Sequence, residues 1–200
     1  MLRVSRSSYH HGDLANALEQ AAMALLDDQP AESISLREVA RRAEVSHNAP
    51  YHHFGDRSQL LKVLAERSMA DLLARQEAVA AAHPEPAARV LALSEDYIDF
   101  ALTRPHAFAA IYNPSICVPG SPTETMAPLI AREEQLLLQA ASDLRPDDSG
   151  EQHELLAAAL WGTAHGLADL GQSGHLPREV CLAAATTALA LVLPGPHHSR

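Results

Sequence analysis

Apolar residues recur every three or four positions along most of this chain, and no stretch alternates in the two-residue rhythm of a half-buried strand. The first stripe is Leu14, Ala17, Leu18, Ala21, Ala22 and Leu25, one buried face of a helix that "DDQPAES" ends, with Pro30 as the breaker. Next comes "SLRE", in which Ser35 can cap a helix while Glu38 reaches back, a capping box. The apolar face of that helix is Leu36, Val39, Ala40 and Ala43. After a break at Glu44-Val45, Ser46 is placed to cap a third, very short helix ending near Phe54. Gly55 interrupts, and "DRSQ" starts a fourth helix with Asp56 as cap, running through Leu60, Leu61 and Leu64 to about Ala82.

Beyond "HPEP" the helical rhythm resumes. Residues 86–103 carry a stripe at Val90, Leu91, Ser94, Tyr97, Ile98, Ala101 and Leu102, ended by Pro105. A short aromatic piece, "HAFAAIY", leads into "NPSICVPGSPTET", whose prolines and glycine forbid a long regular element. Three more helices are predicted over 124–144, 151–172 and 177–193. The expected fold is all-α, a small N-terminal bundle followed by a larger C-terminal one.

Composition supports that reading: 47% of the 200 residues are apolar but only 4% are aromatic, and alanine and leucine dominate. Two distant cysteines, Cys117 and Cys181, form no CxxC pair and suit a reduced, cytoplasmic protein. "MLRVSRSSYHHGD" has arginines without an apolar core, unlike a secretory signal, and the run "VCLAAATTALALVL" is too short to span a bilayer. No membrane partner is expected. The net charge of −10 is uneven: residues 1–75 hold nine Lys/Arg and ten Asp/Glu, whereas residues 76–200 hold six and fifteen. Five of the twelve histidines lie in the first part and can gain charge near a polyanion. The two parts thus have different electrostatic roles open to them.

The chemistry concentrates in "EVSHNAPYHHF", residues 44–54. Two short helices joined by a tight turn and framed by longer ones follow the helix-turn-helix plan, whose second helix meets base edges with its first residues. Ser46, His47 and Asn48 are short polar donors and acceptors, and Ala49 is small enough to approach a thymine methyl. Tyr51 and His52 can bond phosphates, and Arg37 and Arg57 flank the groove. A metal cage is the rival reading of the histidines. Its ligands would want i, i+3 or i+4 spacing, whereas His47, His52 and His53 stand at i, i+5 and i+6 with no completing carboxylate or cysteine cluster. No metal site is expected, and His53 is better placed to pack. "HELLA" at 153–157 lacks the second histidine of the zinc-protease motif, and "GQSGH" lacks nucleophile-elbow spacing, so an enzyme is not expected.

Trp161 and His165 lie four apart and share a helix face. They are either a core tryptophan and a bonded histidine, or part of a ligand cavity with Tyr97, Phe100, Phe108, Ile111 and Tyr112. The last helix, with Cys181, Leu182, Ala185, Leu189 and Val192, is apolar enough to serve as core, as dimer face, or as both.

The segment "ISLREVARRAEVSHNAPYHHFGDRSQLL" closely resembles the DNA-binding segment of TetR-family transcriptional regulators, over roughly residues 10–65. The leader "YHHGDL" is similar to the start of many members. "YIDFALTRPHAFAAIY" and "LWGTAHGLADL" resemble the subgroup whose C-terminal domain is named for a Trp-His-Gly signature, here Trp161, His165 and Gly166. The resemblance implies a sequence-specific regulator, most simply a repressor, acting as a homodimer on a palindromic double-stranded DNA operator. It implies a C-terminal pocket for a small inducer, with no other cofactor, and a dimer interface built from the last two long helices. Carried over by position, Ser46, His47 and Asn48 read bases with Arg37 helping, and Tyr51, His52 and Arg57 hold phosphates. Arg3 and Arg6 would reach a neighbouring minor groove. The implied division is an arm and helix-turn-helix over 1–56, a connecting helix over 57–82, and a ligand-binding and dimerisation domain over 83–200.

Two residues depart from the family pattern. Glu44 stands where members usually carry glycine; if that position needs positive φ, the side chain costs on the order of 1 kcal/mol. Pro50, counted from Ser46 as cap, falls at the fourth position and would make the helix start irregular. Two rival functions stay open. One is a metal or redox sensor using the histidines or Cys117 and Cys181; the other is a helix-turn-helix that serves protein contact without binding DNA.

Overall fold

The computed structural model describes residues 6–118 and 120–193, with side chains from residue 14 onward. The elements are α1 (Arg6–Asp28), a 3-10 turn (Ala31–Ser33), α2 (Leu36–Arg42), α3 (Ala49–Phe54), α4 (Arg57–Ala82), α5 (Pro86–Thr103), α6 (Pro105–Tyr112), α7 (Met126–Leu144), α8 (Gly150–Gln172) and α9 (Arg178–Val192). No strand occurs among the described residues, and the all-α expectation is met. The expected minor-groove arm falls outside the description, at Arg3 altogether and at Arg6 for its side chain.

The chain packs as two units, one reaching Met69 and adding His106–Thr123, the other holding Ala70–Pro105 and the chain from Glu124 onward. The divide cuts α4 in its middle and places α6 with the N-terminal helices, so it falls elsewhere than the expected boundaries after residues 56 and 82.

In the first unit, Leu18, Ala22 and Leu26 of α1, Ile34, Leu36, Val39 and Ala40 around α2, and Leu60 and Leu64 of α4 are buried. Full burial of one leucine contributes roughly 2 kcal/mol, whereas a cap contributes about 1 kcal/mol. The apolar stripes therefore hold the bundle together, and the caps fix where its helices begin and end. Ser35 opens α2 with the expected box: the Glu38 amide donates to Ser35 Oγ (3.3 Å) and the Ser35 amide to Glu38 Oε2 (2.9 Å). The Ser35 hydroxyl also donates to Glu38 Oε2 (2.8 Å), and this bond, with that from the Ser35 amide, holds the Glu38 carboxyl below its usual pKa, because the ionised form is the better acceptor.

The end of α2 shapes the turn. Glu44 has φ +56°, and it is the one non-glycine residue with positive φ among those described. The Val45 amide donates to the Ala40 carbonyl (3.0 Å) and the Glu44 amide to that of Arg41 (3.3 Å), the paired bonds of a Schellman motif. The turn thus has the left-handed shape that glycine would favour, with a glutamate in it.

The start of α3 corrects the sequence reading. Its cap is Asn48, not Ser46, and no side chain bonds the first amides. Ala49 is then the first helical residue and Pro50 the second, where the missing N–H costs no intrahelical bond. The proline starts this helix instead of disturbing it. Gly55 (φ +81°) closes α3, and Asp56 caps α4 by accepting from the Gln59 amide (2.9 Å).

In the second unit, α5 packs against α7, α8 and α9. Val90, Leu93, Ala140, Leu144 and Leu189 form a buried cluster there. Glu85 caps α5 by accepting from the Ala87 and Ala88 amides (3.2 and 2.7 Å), with Pro86 in the first turn. Ser149 and Gln152 make a second capping box at α8.

Candidate functional site

Two places concentrate polar chemistry, one in each unit. In the first, Arg37 on α2, Ser46, His47 and Asn48 on the turn, and Tyr51 and His52 on α3 are all exposed. The opposite side of α3 holds it in place: Ala49, Pro50 and Phe54 are buried. This corrects one expected base contact, because Ala49 is only 8% exposed and packs inward, away from any thymine methyl. Arg57 is exposed, but its guanidinium already donates to the Glu32 carbonyl, so it positions the chain as well as being available to a phosphate.

Two residues missed as contacts in the sequence stand beside this surface. Arg41 and Arg42 fill the last turn of α2 and are exposed. The doublet is plain in "VARRAEV"; it reads there as a helix C-terminus, which basic residues favour anyway.

His53 has turned away from this surface. Its ring meets that of Phe54 edge-on at 4.5 Å, and Nε2 lies 3.1 Å from Glu19 Oε1 on α1. Arg67 of α4 donates to the same carboxylate, its Nε at 2.7 Å from Oε2. Glu19 therefore ties α1, α3 and α4 together beneath the exposed face. Among the described residues no group of three metal-ligating side chains assembles. Both thiols are free, and Cys181 is buried with Sγ 3.4 Å from the Leu167 carbonyl.

The second place is a small, solvent-open cleft in the other unit, about 20 Å3 in volume, lined by Gln76, Val90, Leu93, Ser94, Tyr97, Glu133, Leu137, Ala140, Leu160, Trp161 and Ala164. Three expected ligand contacts meet here or beside it. The Trp161 Nε1–H donates to the Tyr97 hydroxyl (3.3 Å), and that hydroxyl lies 2.8 Å from His165 Nδ1. Burial lowers the pKa of His165 against the weaker pull of Asp169.

The other expected lining residues lie elsewhere. Phe100 is fully buried with the guanidinium carbons of Arg75 and Arg104 each 5.6 Å from its ring centre, a core position outside the cleft. Phe108, Ile111 and Tyr112 belong to the first unit, where the Phe108 and Tyr112 rings lie 5.0 Å apart. In their place stand two polar residues that sequence reasoning passed over. Gln76 is 1% exposed and donates to the Leu93 carbonyl (3.2 Å) and to Asp96 (2.9 Å). Glu133 has a buried Oε2 with no hydrogen-bond partner. Burial, with Glu77 adding repulsion, pushes its carboxyl up to about 7. A signal for both was present: each occupies a position on an apolar stripe, Gln76 after Met69, Leu72 and Leu73, and Glu133 between Leu129-Ile130 and Leu136-Leu137.

A solvent-facing helix-turn-helix on one unit, and a helical unit with a largely apolar cleft on the other, follow the plan of a DNA-binding regulator. Comparison with known proteins makes this specific. Residues 19–64 match the family described as bacterial regulatory proteins, tetR family, and residues 90–192 match the tetracyclin repressor-like C-terminal domain. The chain belongs to the TetR family of transcriptional regulators. Among solved structures it is similar to a protein of unknown function from a Rhodococcus species, at 28% identity over 94% of this chain and 98% of that one (TM-score 0.77). It shares its fold with a tetR-family transcriptional regulator from Streptomyces coelicolor, at 24% identity over 90% of this chain and 82% of that one (TM-score 0.68). It also shares its fold with AibR, solved in complex with isovaleryl coenzyme A and operator DNA, at 19% identity over 92% of this chain and all of that one (TM-score 0.61). No curated protein matches the sequence. No described helix is long and apolar enough to cross a membrane.

Proposed function

We propose that this TetR-family regulator is a ligand-responsive repressor that binds a palindromic operator as a homodimer in the cytoplasm. The observation that carries the reading is the solvent-facing row Arg37, Ser46, His47, Asn48, Tyr51 and His52, held on helices whose other faces are buried. Short polar side chains at the start of α3 suit base edges, and Tyr51 and His52 with the α2 arginines suit phosphates.

The dimer is supported by an uncovered apolar face. Leu155 and Leu170 of α8 and Val180 and Leu191 of α9 are exposed, Leu191 to 82%. Around Gly162 and Gly166 an added Cβ would meet nothing within 4 Å, so a second helix can approach there closely. A second copy covering α8 and α9 would remove this surface from water and set two recognition helices on one duplex.

The inducer would occupy the cleft by Tyr97, Trp161 and His165, and no other cofactor is called for. AibR, a protein of the same fold, was solved in complex with isovaleryl coenzyme A and operator DNA. A ligand changes operator affinity only by as much as it binds one arrangement of the molecule better than another. Gel shifts with the DNA upstream of the protein's own gene test the proposal. A salt-sensitive, sequence-selective shift is expected, and its absence refutes DNA-directed regulation. A reporter silenced by the protein and released by ligand separates repression from activation.

A further inference from the structure

We propose that the cleft of the second unit binds a compact organic ammonium ion with an apolar body, the charged nitrogen seated on Glu133 and the apolar part against Tyr97 and Trp161. This rests on the ligand-responsive reading above and names the chemical class of the ligand.

The cleft is defined by what it lacks. Of its eleven lining residues six are aliphatic or alanine, two are aromatic-ring residues with their polar atoms bonded to each other, and none is lysine or arginine. Glu133 is the one carboxylate among them, and its Oε2 is buried without a partner. A buried carboxylate left unpaired is costly unless it is neutralised or meets a donor, and the protein supplies neither inside the cleft.

The neighbouring charges are already engaged. On α4, Glu77 accepts from Arg132 of α7 (2.6 Å), and Arg75 pairs with Asp96 of α5 (2.5 Å), which also accepts from Gln76. On α8, burial lowers the pKa of His165, whose Nδ1 lies 2.8 Å from the Tyr97 hydroxyl. Burial first, and then the repulsion of Glu77, push the Glu133 carboxyl up to about 7, so a cation placed beside it favours its ionised form. An ammonium group fulfils three needs at once: it donates to Oε2, it neutralises the carboxylate, and it lies well beside the electron-rich faces of Tyr97 and Trp161. Phosphate-bearing ligands would meet Glu133 with no basic partner in the lining.

Calorimetry on the full-length protein with 2-phenylethylamine, its neutral isostere 2-phenylethanol, and isovaleryl coenzyme A tests the class directly. An aliphatic ammonium stays charged between pH 6 and 8, so the pH dependence reports the protein. Saturable binding of the amine is expected at pH 8, at least tenfold tighter than the alcohol. It should weaken about tenfold at pH 6, as a carboxyl near 7 takes up its proton. Glu133→Gln should abolish the preference for the amine, and exposed Glu134→Gln should keep it. Equal affinity for amine and alcohol, no amine binding, binding of the coenzyme A ester alone, or an unchanged preference in Glu133→Gln each overturns the proposal. Operator binding, measured separately by gel shift, survives any of these outcomes if only the ligand class is wrong. Its own loss would refute the broader reading.

Discussion

The two units place their polar groups oppositely. In the first, the buried polar side chain Ser68 is satisfied within its own helix, its hydroxyl donating to the Leu64 carbonyl (2.8 Å), and the functional side chains point to water. In the second, Gln76 reaches from α4 to α5, Tyr97 is shared between Trp161 and His165, and Glu133 keeps an unpartnered oxygen inside. A bundle whose buried polar group is satisfied locally suits a surface that must hold its side chains in register with DNA. An interior that leaves a carboxylate oxygen unpartnered suits a site that a small molecule completes. The first unit should therefore lose stability when its core is cut and lose only affinity when its face is cut. In the second, one internal substitution should move stability and ligand binding together.

The largest effect is expected from Phe54→Ala. Phe54 is 5% exposed at the end of α3, and truncating such a ring costs about 3–5 kcal/mol. Denaturant titration should show that loss, and a change below about 1 kcal/mol would mean that α3 is not anchored through this residue.

Second comes Glu133→Gln, which should stabilise the protein by about 1–3 kcal/mol at pH 8 and leave it nearly unchanged at pH 4. The folded carboxyl titrates near 7, above its ordinary 4.5, so the unfolded chain ionises first. Stability is then full below the ordinary value and is lost as pH rises through 7. Thermal melts of both proteins across that range would show the two curves separating; parallel curves would mean that Glu133 is solvated.

Smaller is the expected effect of Tyr51→Ala and Arg37→Ala, each weakening operator binding by about 1–2 kcal/mol with unfolding unchanged. Arg41→Ala and Arg42→Ala should lower the salt slope of binding by about one each if they meet phosphates.

The smallest is Glu44→Gly, which relieves the left-handed backbone at φ +56° but loosens the unfolded chain. A net gain of about 0.5 kcal/mol is expected, whereas Glu44→Val should destabilise the turn.

The first unit was largely legible in the sequence, because its architecture is local. The Ser35–Glu38 box, the cap at Asp56 and the left-handed demand at Glu44 each involve residues within a few positions. The start of α3 was misplaced by two residues because Ser46 and Asn48 are both good caps, and neither side chain bonds the helix. That shift turned Ala49 inward. The cleft was only partly legible. Trp161 and His165 share a face by spacing alone, but their bond through Tyr97 joins residues more than sixty positions apart. Phe108, Ile111 and Tyr112 follow α5 closely in sequence, yet they pack in the other unit, which no local pattern reveals. Glu133 could have been found: a carboxylate at the centre of an apolar stripe is either an error of register or a site.

The measurement that bears most directly on DNA-directed regulation is fluorescence anisotropy with a duplex selected by this protein from random DNA, against a scrambled duplex of equal length. Expected are a strong preference for the selected duplex, affinity that falls steeply with salt, and loss of that preference when His47 and Asn48 are both replaced by alanine. Equal affinity for both duplexes, or an unchanged preference in the double variant, would contradict the reading of residues 46–52 as the surface that recognises DNA.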